Sequence, residues 1–305
     1  MKRIIVTGAT GIVGISLIDE CIKNNIEVIA LVRRDSANVR RIPDSPLVKI
    51  IECDLDEMAR ADLDIRGDVF YHFGWSRTDK QGRQNSYLQQ ENIGSALNAL
   101  ELALRSGCSK FIGSGSQAEY GVHPADKTAP DTPLFPQDAY GAAKAAAGRM
   151  CSFEARKSGI DFAWVRIFSL YGKCESSGTL IQTAIRKMLN NEKLSLSPCT
   201  HRWDYLYSAD AGEALFMLGE RFSGNKVYCL GSGVGRPLRD YVTEMKDILG
   251  SGSELCFGDI PYPEIIPTGF CADISALETD IGWKPRTDFR TGIQYTVNYI
   301  TEEES

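Results

Sequence analysis

The sequence predicts an α/β protein built on a doubly wound, largely parallel sheet, with a smaller and discontinuous second lobe towards the C-terminus. Short apolar segments at Arg3–Thr7, Val28–Val32, Val48–Glu52, Val69–Phe73, Lys110–Gly113 and Phe162–Ile167 alternate with longer helical stretches. That alternation is the pattern of parallel strands covered by helices on both faces. Gly8, Gly11 and Gly14 punctuate the first passage from strand to helix. After Tyr171 and Gly172 the alternation weakens, which marks the second lobe.

Taken in order, the first strand runs through TGATGIVG into an amphipathic helix around Ile12–Lys23. The second strand ends in ALVRRDS, the third in IECDLDE and the fourth in YHFGW. Helices expected around Ser86–Arg105 and Asp138–Lys157 are long enough to cross the sheet, and their small and apolar residues suit close packing. Between them, Pro124, Pro130, Pro133 and Pro136 confine the chain to turns and extended segments. A stretch of this kind shapes the edge of a site rather than the sheet core. Further helices are expected around Thr179–Leu189, Asp210–Leu218 and Leu238–Leu249, with a strand at Lys226–Leu230. The reading divides the chain into a first domain over 1–171, to which 199–231 and 271–285 return, a second lobe from 172–198 and 232–270, and a C-terminal helix over 286–305.

A chain of 305 residues buries a sizeable core without disulfides or a structural metal. Its 43% hydrophobic and 24% charged content excludes disordered, collagen-like and coiled-coil classes. The net charge of -6, from 34 basic and 40 acidic side chains, gives no general attraction to nucleic acid or an anionic membrane. No apolar run is long enough to span a bilayer, and MKRIIVTGATG reads as a strand entering a turn rather than as a targeting peptide. A cytoplasmic protein with neither nucleic-acid nor membrane partners is expected. Nine cysteines without CxxC spacing form an odd set, which argues against a disulfide framework. His72, His123 and His201 do not cluster with them, so no metal site is expected.

The three glycines let a phosphate approach the backbone closely, and the following helix presents oriented N–H groups to an anion. A glycine pattern of this kind gains meaning from the strand before it and the helix after it. Gly8, Gly11, Ile12, Val13 and Gly14 are therefore candidate dinucleotide-binding residues of a Rossmann-type domain. At the end of the second strand Val32 cannot accept a ribose hydrogen bond, whereas Arg33 and Arg34 offer cations to a ribose phosphate. NADP is thus favoured over NAD, although a one-residue shift puts Asp35 on the ribose instead. Asp54 is a candidate acceptor for the adenine amino group, or a loop cap, and Leu55 supplies apolar contact beside the ring.

Tyr140 and Lys144 stand four residues apart on an expected helix, so their side chains share one face. A lysine ammonium favours phenolate and makes the tyrosine a usable proton donor or acceptor. The same lysine is a candidate ligand of a nicotinamide ribose. Ser116 opens SQAEYG after an apolar strand, where its hydroxyl can hold a carbonyl or alcohol oxygen or simply close a turn.

The ordered segments TGATGIVG, CDLDE, YHFGW, ENIGSALNAL, SGSQAEYG, YGAAK, RIFSLYG, HRWDYLYSAD and IGWKP resemble the extended short-chain dehydrogenase/reductase family, also described as the NAD-dependent epimerase/dehydratase family. The resemblance spans almost the whole chain. It implies a Rossmann-type NAD(P)-binding domain with a smaller substrate lobe, and Ser116, Tyr140 and Lys144 in the family's Ser–Tyr–Lys roles. It also implies a supporting role for Asn92, with helix packing or polar satisfaction as the alternative, a nucleotide-linked sugar as substrate, and a homodimer formed through the helices around Ser86–Arg105 and Asp138–Lys157.

Departures from the family pattern bear on the substrate. Ser169 stands where many sugar-nucleotide enzymes carry asparagine, and Gly74–Trp75 replaces a small pair after the fourth strand. Gln117 and Ala118 replace the Asp–Glu pair associated with 4,6-dehydratases, which weighs against that branch. Trp75, Ser116, Ser169 and Arg202 are the candidate substrate contacts. Core packing is the alternative for Trp75, and an ion pair with Asp204 the alternative for Arg202. His72 reads as structural in its apolar setting. The expected function is reduction of a nucleotide-linked 4-keto sugar by NADPH. The alternatives are an NAD-dependent 4-epimerase and a non-catalytic, dinucleotide-responsive binding protein.

Overall fold

Seven parallel strands form the centre of the protein, seen in a computed structural model that describes residues 1–122, 127–262 and 271–303. Pro124, residues 263–270 of the expected second lobe and residues 304–305 of the expected C-terminal helix lie outside the described residues.

In chain order the strands are β1 (Arg3–Thr7), β2 (Glu27–Val32), β3 (Val48–Glu52), β4 (Val69–His72), β5 (Lys110–Ser116), β6 (Asp161–Ile167), β7 (Ser169–Tyr171), β8 (Leu194–Leu196), β9 (Arg202–Trp203), β10 (Tyr205–Tyr207), β11 (Asn225–Leu230), β12 (Arg236–Pro237) and β13 (Leu255–Phe257). The helices are α1 (Ile12–Lys23), α2 (Lys80–Gln84), α3 (Ser86–Arg105), α4 (Ala139–Ser158), α5 (Leu180–Leu189), α6 (Ser208–Arg221), α7 (Leu238–Leu249), α8 (Ser275–Ile281) and α9 (Phe289–Glu303).

The main sheet runs β11-β6-β5-β4-β1-β2-β3, with every neighbouring pair parallel. Winding reverses between β1 and β4, so a crevice opens beyond their C-terminal ends, the place where such sheets take ligands. β5 runs three residues further than the sequence suggests, because Ser114, Gly115 and Ser116 keep pairing with Val165, Arg166 and Ile167 of β6. The glycines that obscured this continuation are required by the indole of Trp164. A Cβ on Gly113 would lie 2.5 Å from its ring carbon, and one on Gly115 would lie 2.5 Å from its ring nitrogen.

Alternation along the strands sends residues to two cores. Ile4 and Val6 pack with Ile15, Ile18, Leu215 and Leu218 beneath α1 and α6. Ile5, Phe70, Phe111 and Phe162 pack against the alanine-rich faces of α3 and α4. A third core joins Ile181, Ile185, Leu194, Val242, Met245 and Ile293, drawing α5, α7 and α9 into the second lobe. The buried carboxylate of Asp204 ties this lobe to the sheet side by accepting from the backbone N–H of Ser232 at 2.7 Å, Ala272 at 2.9 Å and Gly233 at 3.1 Å.

Among the described residues no helix is long and apolar enough to cross a membrane, and no cluster of three His, Cys, Asp or Glu side chains could hold a metal ion. Eight of the nine cysteines are buried, and Cys256 is half-buried.

Candidate active site

A cavity of about 1640 Å³ opens along the C-terminal ends of the sheet. Gly8, Gly11, Ile12 and Val13 line it where the turn after β1 enters, between the β5 and β2 sides. Gly8 adopts φ +68, and a Cβ there would lie 2.6 Å from the Phe73 carbonyl carbon, so the turn after β1 admits no side chain. Gly14 packs beneath the loop, where a Cβ would lie 2.4 Å from the Gly8 carbonyl oxygen. Gly11 differs: the one atom near its Cβ position is the Gly8 oxygen at 3.6 Å, leaving open space on its cavity side. Gly11 is also the N-cap of α1 and makes no side-chain cap bond, so the helix end offers its N–H groups to an anion. These residues fit the pyrophosphate of a dinucleotide.

Val32, Arg33, Arg34, Asp35, Asp54 and Leu55 line the cavity beyond the ends of β2 and β3, next to the glycine turn. The Arg34 guanidinium pairs with Glu57 at 2.5 Å, and its backbone N–H donates to Asp54 at 3.3 Å. Arg34 is thereby engaged within the protein. Arg33 has no ion-pair partner among the described residues and remains the cation available to a ribose phosphate. Asp35 takes a left-handed conformation, φ +52, on the same wall.

Ser116, Tyr140 and Lys144 line the cavity together, Ser116 from the end of β5 on the other side of β1 from β2. Asp138 caps α4 by accepting from the Gly141 N–H at 2.7 Å, which starts the helix so that Tyr140 and Lys144 share its inner face. Burial holds the Tyr140 phenol above the ordinary tyrosine value, and the neighbouring Ser116 hydroxyl and Arg83 oppose that rise. The Lys144 ammonium is buried, donates to the Ser114 carbonyl at 2.7 Å, and lies 3.7 Å from the centre of the Trp75 indole. Burial pushes it down to about 7. The cluster can hold an oxygen and pass one proton.

Behind Ser116 lies a residue the sequence reading overlooked. Glu119 is fully buried and accepts from the Ser116 N–H at 2.9 Å, the Trp164 indole N–H at 3.0 Å and Arg166 Nε at 2.8 Å. The S-x-x-E spacing from Ser116 to Glu119 is a capping box and is the signal that could have found it. Arg166 continues the network by donating to the Tyr120 hydroxyl at 2.8 Å.

Trp75 lines the cavity while its Nε1 donates to Gln89 at 2.8 Å. Asn92 fixes the segment after β4: its Oδ1 accepts from the Ser76 N–H at 2.8 Å and its Nδ2 donates to the Ser76 carbonyl at 3.1 Å. His72 is buried against Thr7 at 2.9 Å, and burial together with Lys144 pushes it down to about 3, leaving a neutral structural ring.

Two candidate substrate contacts are not brought to this cavity. Ser169 is absent from its lining, and its hydroxyl accepts from Trp203 Nε1 at 2.7 Å and Gln117 Nε2 at 3.4 Å. Arg202 is also absent from the lining; it donates to the Gly235 carbonyl on the strip where β9 meets β12. Its alternative partner Asp204 is instead occupied by the backbone of 232–233 and 272. The wall does contain Glu175, which no sequence signal marked and whose carboxyl burial pushes up to about 7.

The switch-point crevice, the bare glycine turn and the Ser–Tyr–Lys cluster define a Rossmann-type dinucleotide-binding protein. The chain belongs to the NAD dependent epimerase/dehydratase family, whose profile matches residues 4–231. It is 25% identical to a putative UDP-glucose 4-epimerase of Methanocaldococcus jannaschii, over 97% of this chain and 98% of that protein. It is also 25% identical to UDP-glucuronic acid decarboxylase 1 of Xenopus tropicalis, over 99% of this chain and 73% of that protein. In fold it is similar to the UDP-glucose 4-epimerase of Thermotoga maritima solved with UDP-glucose, with a TM-score of 0.90, 22% identity, and 99% of this chain and 100% of that one covered.

Proposed function

We propose that the protein reduces a keto group at the 4-position of a nucleotide-linked sugar, using NADPH. The observation that carries this reading is the convergence of Ser116, Tyr140 and Lys144 on the cavity that the glycine turn enters. A nicotinamide bound there supplies the hydride. Tyr140 donates its phenolic proton to the sugar oxygen as the carbonyl becomes an alcohol, and Ser116 holds that oxygen by hydrogen bonding. Lys144, 5.8 Å from the Tyr140 ring centre, favours the phenolate left behind while charged, and it would be the residue that contacts the cofactor ribose. Arg33 supports the choice of NADPH, because it lines the cavity beyond β2 and has no ion-pair partner among the described residues. Gln117 and Ala118 put no carboxylate beside Ser116, and Glu119 is committed to Arg166, which weighs against dehydration.

A second reading, an NAD-dependent 4-epimerase, is favoured by Asp35 on the ribose wall and by the full-length similarity to the putative UDP-glucose 4-epimerase. Here Tyr140 would take the alcohol proton and return it after the keto sugar has rotated. We further propose a cytoplasmic homodimer joined through α3 and α4, whose exposed Tyr87, Met150 and Phe153 support the pairing. Stoichiometric loss of NADPH with a 4-keto sugar nucleotide supports the reductase. Tightly retained NAD with interconversion of sugar epimers in the absence of added cofactor replaces it with the epimerase.

A further inference from the structure

The loop between β4 and α3 brings a second cation to Tyr140 that no sequence motif announced. Arg83 on α2 places its guanidinium carbon 4.2 Å from the centre of the Tyr140 ring. It is clamped by Asp138, whose Oδ2 accepts from Nη2 at 3.2 Å and from Nε at 3.3 Å. Asp138 is in turn fixed as the cap of the helix that carries Tyr140. The segment itself is anchored: Asp79 accepts from the Gly82 N–H at 3.0 Å, and Gln89 Nε2 donates to the carbonyls of Gly82 at 3.0 Å and Arg77 at 2.8 Å. Arg83 therefore stands on a braced turn and also lines the cavity.

The charged groups around Tyr140 are Arg83 from α2, Lys144 from its own helix, Glu119 from the turn after β5 and Asp138 at the helix cap. The two carboxylates oppose phenolate, and each is bound to an arginine. Lys144 lies further off than Arg83, 5.8 Å from the ring centre, with its Nζ turned to the Ser114 carbonyl. It also loses its proton near neutrality, pushed down to about 7 by burial. A guanidinium stays charged throughout the working range of pH and stacks on an aromatic face as an ammonium does not. We propose that Arg83 is a positioning residue for the proton carrier, holding the Tyr140 ring against Asp138 and supplying the permanent positive charge that favours its phenolate.

This rests on the reading of Tyr140 as the proton carrier, so one readout is independent of turnover. Tyrosine labelled with carbon-13 at Cζ, compared with the Tyr140→Phe protein, isolates the Tyr140 signal for titration. The expected result is that Arg83→Gln moves the Tyr140 titration upward by about one pH unit. In the active enzyme the corresponding limb of the pH–rate profile moves by the same amount. Arg83→Lys restores at least half of the displacement by returning the charge without the planar stack. A titration that stays in place in Arg83→Gln overturns the proposal, whatever happens to the rate. So does an equal displacement in Arg83→Gln and Arg83→Lys, which leaves the charge no role. A normal titration response in a protein that turns over no nucleotide sugar instead overturns the assigned function and leaves the role of Arg83 standing.

Discussion

Lys144 and Trp75 form a cation–π pair in which the buried ammonium lies 3.7 Å from the centre of the indole. The π face and the Ser114 carbonyl, 2.7 Å away, take the place of water around this cation. A desolvated contact of this kind contributes about 2 kcal/mol, which offsets only part of the burial cost. The remainder appears as the fall of Lys144 to about 7.

The pair predicts a pH-dependent stability. Unfolded, Lys144 keeps its proton to about 10.4, the ordinary lysine value, whereas the folded site releases it near about 7. Between these values the unfolded chain binds more protons, so stability rises with pH and the penalty is greatest below the lower one. Thermal unfolding of the Lys144→Met protein and the wild type should therefore differ by a pH-dependent amount. The variant's advantage should shrink by about 5 °C or more as pH rises through the window. A difference that does not change with pH would refute the burial account.

The phosphate loop predicts different effects on stability for two glycines. A Cβ on Gly11 meets only the Gly8 oxygen at 3.6 Å, so Gly11→Ala should cost about 1 kcal/mol or less in thermal stability. The added methyl would still stand on the cavity side proposed for the pyrophosphate, so calorimetry should show dinucleotide affinity falling about tenfold or more. Gly14→Ala meets backbone at 2.4 Å and should lose both stability and binding.

The ribose end yields a selectivity test. Arg34 is held by Glu57 at 2.5 Å, whereas Arg33 faces the cavity without an ion-pair partner among the described residues. Arg33→Ala should weaken NADP about tenfold, roughly 1.4 kcal/mol, with little change for NAD. Arg34→Ala should alter the NADP-to-NAD ratio much less. Equal losses for both cofactors in Arg33→Ala would argue for a general electrostatic role and would favour Asp35 as the ribose contact.

What the sequence made legible was local. The glycine turn lies between a strand and a helix that specify each other, and Tyr140 and Lys144 share a helix face by spacing alone. Among the expected strands the largest error of limit is at β5, where Gly113 and Gly115 yield to Trp164, a contact with the neighbouring strand, and the short strands β7–β10, β12 and β13 were not expected at all. The substrate side was harder to read because its contacts join distant segments. Ser169 is taken by Trp203, Arg202 by Gly235, and Arg83 reaches Tyr140 from another helix. None of these pairings leaves a periodic trace. Glu119 did leave one, the capping-box spacing from Ser116, but its deeper partnership with Arg166 needed the pairing of β5 with β6.

The central claim is that Tyr140 passes a proton to a sugar oxygen while hydride moves between that sugar and the nicotinamide. The most direct measurement is absorbance at about 340 nm with NADPH and a nucleotide-linked 4-keto sugar, comparing the wild type with Tyr140→Phe. The predicted result is one NADPH consumed per keto sugar by the wild type, slowed by a factor on the order of 10²–10⁴ in the variant, with NADPH affinity preserved in both. Equal rates in the two proteins, or no NADPH consumption by a wild type that binds the cofactor, would contradict it.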